Sequence, residues 1–176
     1  MTRRQITARL LREFMRAVGK IVKQQATFYL TGGSTAILYG FREGTIDIDI
    51  AGDMDEIFSH IPDLKKQMNI NIEMTKPTDF VPSLQGEKDR HLPIATFGKA
   101  SFMHFDPYAQ AFSKIVRGHR TDIIDAKGLV TAKLVDVQRL VDIVRALPDE
   151  TFAKYPRLDR TAVQVAVESF ARTFLG

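Results

Sequence analysis

The sequence predicts an α/β fold, a short mixed sheet flanked by helices and followed by a helical C-terminal part. Three observations carry the prediction. Apolar residues recur at helical spacing between Ile6 and Val22. Several short segments between Thr27 and Phe105 alternate or are rich in β-branched and aromatic residues, and helical signals take over from Pro107. With 44% apolar side chains, a chain of 176 residues can bury a real interior.

The elements follow in order. Ile6, Leu10, Leu11, Phe14, Met15, Val18, Ile21 and Val22 form one apolar helix face. Thr27 to Thr31 (TFYLT) reads as a strand, broken by Gly32 and Gly33. Ser34 then caps a short helix through Tyr39 that Gly40 ends. Ile46 to Ala51 alternates strictly and is the second strand. Asp53 caps a helix over Met54 to Gln67 that Pro62 interrupts or kinks, and Asn69 to Met74 (NINIEM) is the third strand. Thr75 to Arg90, with Pro77, Pro82 and Gly86, is a loop of functional length. His91 to Phe97 and Lys99 to Phe105 are two strands hinged at Gly98 and Lys99. Helices follow over Pro107 to Gly118, Thr121 to Leu147, weakened at Gly128 and stopped at Pro148, and Asp159 to Phe174. The division is a core over residues 1–106 and a helical region over 107–176 packed on it.

Composition excludes several classes. Without cysteine there is no disulfide framework and no thiolate metal site. The four histidines lack zinc-ligand spacing, and no apolar run is long enough to span a membrane. Arg3, Arg4, Arg9, Arg12 and Arg16 could imitate an organelle transit peptide, but the apolar periodicity beneath them favours a structural helix. Charge is unevenly spread: residues 1–24 carry seven basic and one acidic side chain, residues 41–64 one basic and seven acidic. That asymmetry suits a site where a cation meets an anionic partner; a solvated helix face is the other reading.

Strand alternation puts Asp47 and Asp49 on one face and Ile46, Ile48 and Ile50 on the other. The two carboxylates lie about 6.6 Å apart along the strand. Their repulsion is roughly 2.5 kcal/mol at an effective dielectric of 20 and about 0.6 kcal/mol in bulk water. A sheet floor therefore invites a counter-charge. Mg²⁺, which accepts one or two carboxylates with waters and substrate phosphates, meets that need; a solvent-facing pair would not require it. Gly32 and Gly33, between a strand and a helix, allow a ligand close to the backbone and near free N–H groups, which is how a phosphate is seated. The stretch has neither the Walker nor the dinucleotide pattern, and as a plain turn it would need no ligand.

Taken together, Gly32, Gly33, Ser34, Asp47 and Asp49 resemble the signature of the nucleotidyltransferase superfamily of the polymerase β type, a G-[GS] turn opening a helix followed by a D-x-D strand. In "DPYAQAFSKIVRGHRTDIIDAKGL", Lys114, Arg117, Asp122 and Asp125 resemble the K-x-x-R and D-x-x-D of nucleotidyltransferase-like proteins related to bacterial abortive-infection toxins of toxin–antitoxin systems. "DFVPSL", Asp79 to Leu84, is similar to that group as well, and the resemblance spans roughly residues 27–130.

The resemblance implies a nucleotidyltransferase-like core and a cytoplasmic, bacterial enzyme that moves a nucleoside monophosphate from an NTP to an acceptor hydroxyl. It implies Mg²⁺ or Mn²⁺ on Asp47 and Asp49, and phosphates seated by Gly32, Gly33 and Ser34 with Lys114 and Arg117 neutralising them. A third carboxylate is expected from Glu73, with Asp79 as runner-up and Asp122 as an alternative base. The implied acceptors are RNA, in particular tRNA, a protein or a small molecule, and a cognate antitoxin is an implied partner. Two alternatives remain: a nucleotidyltransferase-like binding module without catalysis, and a phosphohydrolase of the haloacid dehalogenase type with Asp47 as nucleophile. The second is disfavoured by Ala51, which stands where that family places a hydroxyl.

Overall fold

The computed structural model describes residues 3–176 and divides into two compact units. One comprises residues up to Lys76 together with His91–Phe105; the other comprises Pro77–Arg90 and Asp106–Gly176. The segment Pro77–Arg90 therefore groups with the C-terminal helices.

The first unit holds a five-stranded mixed sheet: β1 (Ala26–Thr31), β2 (Asp47–Gly52), β3 (Asn71–Met74), β4 (Leu92–Phe97) and β5 (Ala100–His104). Their spatial order is β3-β2-β1-β5-β4, with β1/β5 and β2/β3 parallel and β1/β2 and β4/β5 antiparallel. Helix α1 (Ala8–Ile21) lays Leu10, Leu11, Phe14, Met15 and Val18 on one face of this sheet. There they join Phe28 and Leu30 of β1, Ile48 and Ile50 of β2, Ile72 of β3 and Phe102 of β5 in one core. Phe28 and Phe102, register partners across the parallel pair, stack at 5.3 Å between ring centroids. Burying a side chain of this size contributes about 1.5–3 kcal/mol.

Several boundaries differ from the sequence reading, each for a local reason. Ile6 is buried but precedes α1, which Thr7 caps by accepting from the Leu10 N–H; Ile6 pairs instead with Thr45 in a short bridge. Helix α2 is Gly33–Leu38, and its cap is Gly32, at φ 61°, so Ser34 lies inside the first turn and does not cap it. Ile46 precedes the β2 ladder and is 73% exposed, so the strand's buried side rests on Ile48 and Ile50 alone. The stretch after Asp53 is two helices, α3 (Asp55–Phe58) and α4 (Ile61–Met68), with Pro62 tolerated in the first turn of the second. Asp53 caps neither helix and accepts from the Thr27 N–H at 2.8 Å. Asn69 closes α4 in the left-handed conformation, so β3 starts at Asn71.

The second unit contains α5 (Pro107–Arg117), α6 (Arg120–Thr131), α7 (Val137–Arg145), α8 (Asp149–Phe152) and α9 (Arg160–Leu175). The single helix expected over Thr121 to Leu147 is broken in two. The chain turns at Lys133 (φ 59°) with the Leu134 N–H returned to the Leu129 carbonyl, and Asp136 then caps α7 through the Arg139 N–H at 2.7 Å. At the head of α5, Asp106 is fully buried. It accepts from the Tyr108 N–H and from both Nε and Nη2 of Arg90, at 3.0 and 2.6 Å. The planar guanidinium matches a carboxylate in this two-point fashion.

Candidate active site

The face of the sheet opposite the α1 core carries the polar residues. On β2, Ile48 and Ile50 are fully buried on the core side, which fixes Asp47 and Asp49 to the other face. Strand register brings further polar groups beside them: Thr31 of β1 lies opposite Asp49, and Asn71 and Glu73 of β3 lie beside Asp47 and Asp49. Asn71 donates from Nδ2 to Asp47 Oδ1 at 2.5 Å and to Glu73 Oε1 at 3.1 Å, and accepts at Oδ1 from Arg3. One amide thus orients two of the three carboxylates. Glu73 itself is exposed.

The glycine turn meets this row. Gly32 ends β1 with φ 61° and ψ −130°, a conformation open in practice only to glycine, and a Cβ built there would lie 2.6 Å from Asp49 Oδ2. The carboxylate therefore rests against the bare Cα of the turn. Gly33 is packed as closely against Thr45. Next in the turn, the Ser34 hydroxyl is fully buried and has no hydrogen-bond partner within the protein. Behind it, Thr35 Oγ1 shares a 3.0 Å hydrogen bond with Nδ1 of His104, a buried imidazole whose pKa burial lowers to about 4. Strand parity carried a signal for His104, since it shares a face with Ala100 and Phe102, yet the sequence reading passed over it. The linking role of Asn71 was missed too, although strand parity sets it on the face of Glu73.

Asp47, Asp49, Gly32, Gly33 and Ser34 are thus gathered in the first unit. Lys114, Arg117, Asp122 and Asp125 are gathered in the second, on α5 and α6. Lys114 is buried, its ammonium 2.7 Å from Asp125 Oδ2 and 3.5 Å from Asp122 Oδ1. Arg117 lies 3.5 Å from the other Asp122 oxygen and over the Phe80 ring. Asp79, the runner-up third carboxylate, ends a short 3₁₀ turn in the same unit and is exposed. Among the described residues, no group of three or more acidic, histidine or cysteine side chains is close enough to hold a metal ion. A site built here has two carboxylates from the chain.

Compared with known families, residues 9–175 match the one described as "Nucleotidyltransferase of unknown function (DUF6036)". The chain belongs to this family. No curated protein and no solved structure matches it. A nucleotidyltransferase moves a nucleoside monophosphate, and that membership leaves the phosphohydrolase alternative without support. No helix among the described residues is long and apolar enough to cross a membrane.

Proposed function

We propose that the chain transfers a nucleoside monophosphate from an NTP to an acceptor hydroxyl, with Asp47 and Asp49 as ligands of Mg²⁺ or Mn²⁺. The observation that carries the reading is the contact of Asp49 with Gly32. It joins the carboxylate pair to the turn that can admit a phosphate, so that two weak motifs form one place. The donor set fits a hard cation that takes one or two carboxylates and completes its shell with water and phosphate oxygens. Such an ion, when bound, stabilises charge on the attacking and leaving oxygens.

The chain's own part is positioning. Gly32 leaves room for phosphate oxygens beside Asp49, and the buried Ser34 hydroxyl next in the turn is a donor without a partner in the protein. The acceptor oxygen attacks the α-phosphorus, the bond from that phosphorus to the α–β bridging oxygen breaks, and pyrophosphate leaves. Glu73, exposed and next to Asp49 in register, suits removal of the acceptor's proton better than metal ligation. Lys114, Arg117, Asp122 and Asp125 are assigned to tying α5 to α6, because the lysine's charge is already met by two carboxylates. A second reading, NTP binding without transfer, is favoured by the lack of a three-carboxylate group among the described residues.

The test is incubation of wild type and Asp49→Asn with each α-labelled NTP, Mg²⁺, and total RNA or cell extract. Labelled product from wild type alone is expected. Equal labelling by both proteins would remove the metal role from this pair. Calorimetric NTP binding with no pyrophosphate release would decide for the second reading.

A further inference from the structure

The basic side chains of the first helix lie away from the carboxylates. Its apolar residues share a core with Ile48 and Ile50, whereas Asp47 and Asp49 leave the opposite face of β2. The basic stripe of the first helix and the carboxylate pair therefore lie on two surfaces separated by the sheet, whereas Arg3, which donates to Asn71 beside Asp47, stays with the carboxylates. At 100° per residue, Arg9, Arg12, Arg16 and Lys20 fall within an arc of about 80°, and Lys23 follows just past the helix end. All five are exposed.

The tip of the β4–β5 hairpin extends this stripe. Gly19 lets the hairpin sit on α1: a Cβ there would lie 2.5 Å from the Phe97 carbonyl oxygen. Lys99, at the tip, donates to the Lys23 carbonyl at 2.7 Å, and the Arg16 guanidinium lies over the Phe97 ring at 5.6 Å. Two acids oppose these six cations. Glu13 is paired with Arg9 at 3.0 Å, and Glu56 accepts the backbone N–H groups of Lys23 and Gln24.

We propose that this stripe, on the sheet face away from the carboxylates, is a docking surface for single-stranded RNA. A row of cations about 16 Å long from Arg9 to Lys20 follows a phosphate backbone. The three consecutive arginines add planar guanidiniums that bind phosphate in two-point fashion and stack on unpaired bases, which lysines do not. The helix does not lie in a membrane interface, because the apolar face such a helix inserts is already buried.

The inference stands apart from the transfer reading, and its test needs neither nucleotide nor metal. In EDTA at 50 mM salt, the full chain is titrated into a fluorescently labelled 20-nucleotide oligo(U), then at rising salt. Wild type is expected to bind. Arg9→Gln/Arg12→Gln/Arg16→Gln should weaken binding at least tenfold and make the slope of log K against log salt shallower by about two, at about 0.7 per phosphate contact. Circular dichroism should show α1 intact, since all three positions are exposed. The corresponding triple lysine variant should keep the slope. The proposal is overturned by a glutamine variant within twofold of wild type or by no wild-type binding at 50 mM salt. Tighter binding to a duplex, to phosphatidylserine vesicles or to polyglutamate would overturn it equally.

Discussion

Acidification should loosen the first unit through His104. The imidazole is 4% exposed, bonded to Thr35 and covered by the Tyr39 ring at 4.7 Å between centroids. Burial lowers its pKa from 6.5 to about 4. Between those values the unfolded chain holds a proton that the folded one lacks. Stability is therefore complete above about pH 6.5, falls as the pH drops, and stops changing on this account below about pH 4. Each unit of pKa difference corresponds to 1.36 kcal/mol, so the loss across the window is about 3 kcal/mol. Urea unfolding of wild type and His104→Gln at pH 7, 6, 5 and 4.5 measures it. Carboxylates titrate in both proteins, so the informative quantity is the gap between the two stabilities. That gap should shift by about 2.5 kcal/mol in favour of the variant between pH 7 and pH 4.5. A constant gap, or an imidazole seen by NMR to titrate near 6.5, would refute the reasoning.

Two further outcomes follow from packing. Gly32→Ala places a methyl group against Asp49 and forces an alanine into a glycine-only conformation. It should cost about 1–3 kcal/mol and weaken Mn²⁺ binding measured by electron paramagnetic resonance; unchanged Mn²⁺ affinity would separate the turn from the carboxylates. Lys114→Met leaves Asp122 and Asp125 buried without the ammonium between them, and should cost about 3–5 kcal/mol in urea unfolding. A loss under about 1 kcal/mol would show that the cluster does not hold α5 to α6.

Much of the site was legible because strands obey a strict period. The parity of Asp47, Asp49, Asn71 and Glu73 could be read directly, and the ladder placed all four on one face. What parity cannot give is where a ladder begins. Pairing needs a partner, so Ile46 alternates correctly in sequence and still lies outside β2, exposed. The short helix was found but its cap was misplaced, because serine is the better capping side chain in general whereas the conformation of this turn admits only glycine. For Lys114 and Arg117, three residues apart on one helix, spacing alone puts both on a shared face. It could not tell that the face was already filled by acids from the next helix. The break at Lys133 has no proline or glycine at its centre and is set by the return of Leu134 to Leu129.

The parallel pairing of β1 with β5 has a consequence for synthesis. Ala26 lies beside Ala100, and the chain between them includes a segment that belongs to the other unit. At translation rates of about 5–20 residues per second, roughly 4–15 s pass before the second strand emerges to cover the first. Closing so large a loop is slow in the released chain as well. During that interval Phe28 and Leu30 sit on a strand with one bare edge, a template for pairing with neighbouring nascent chains. Slowed synthesis or chaperone cover over those seconds, more than any gain in final stability, would then govern how much protein a cell recovers.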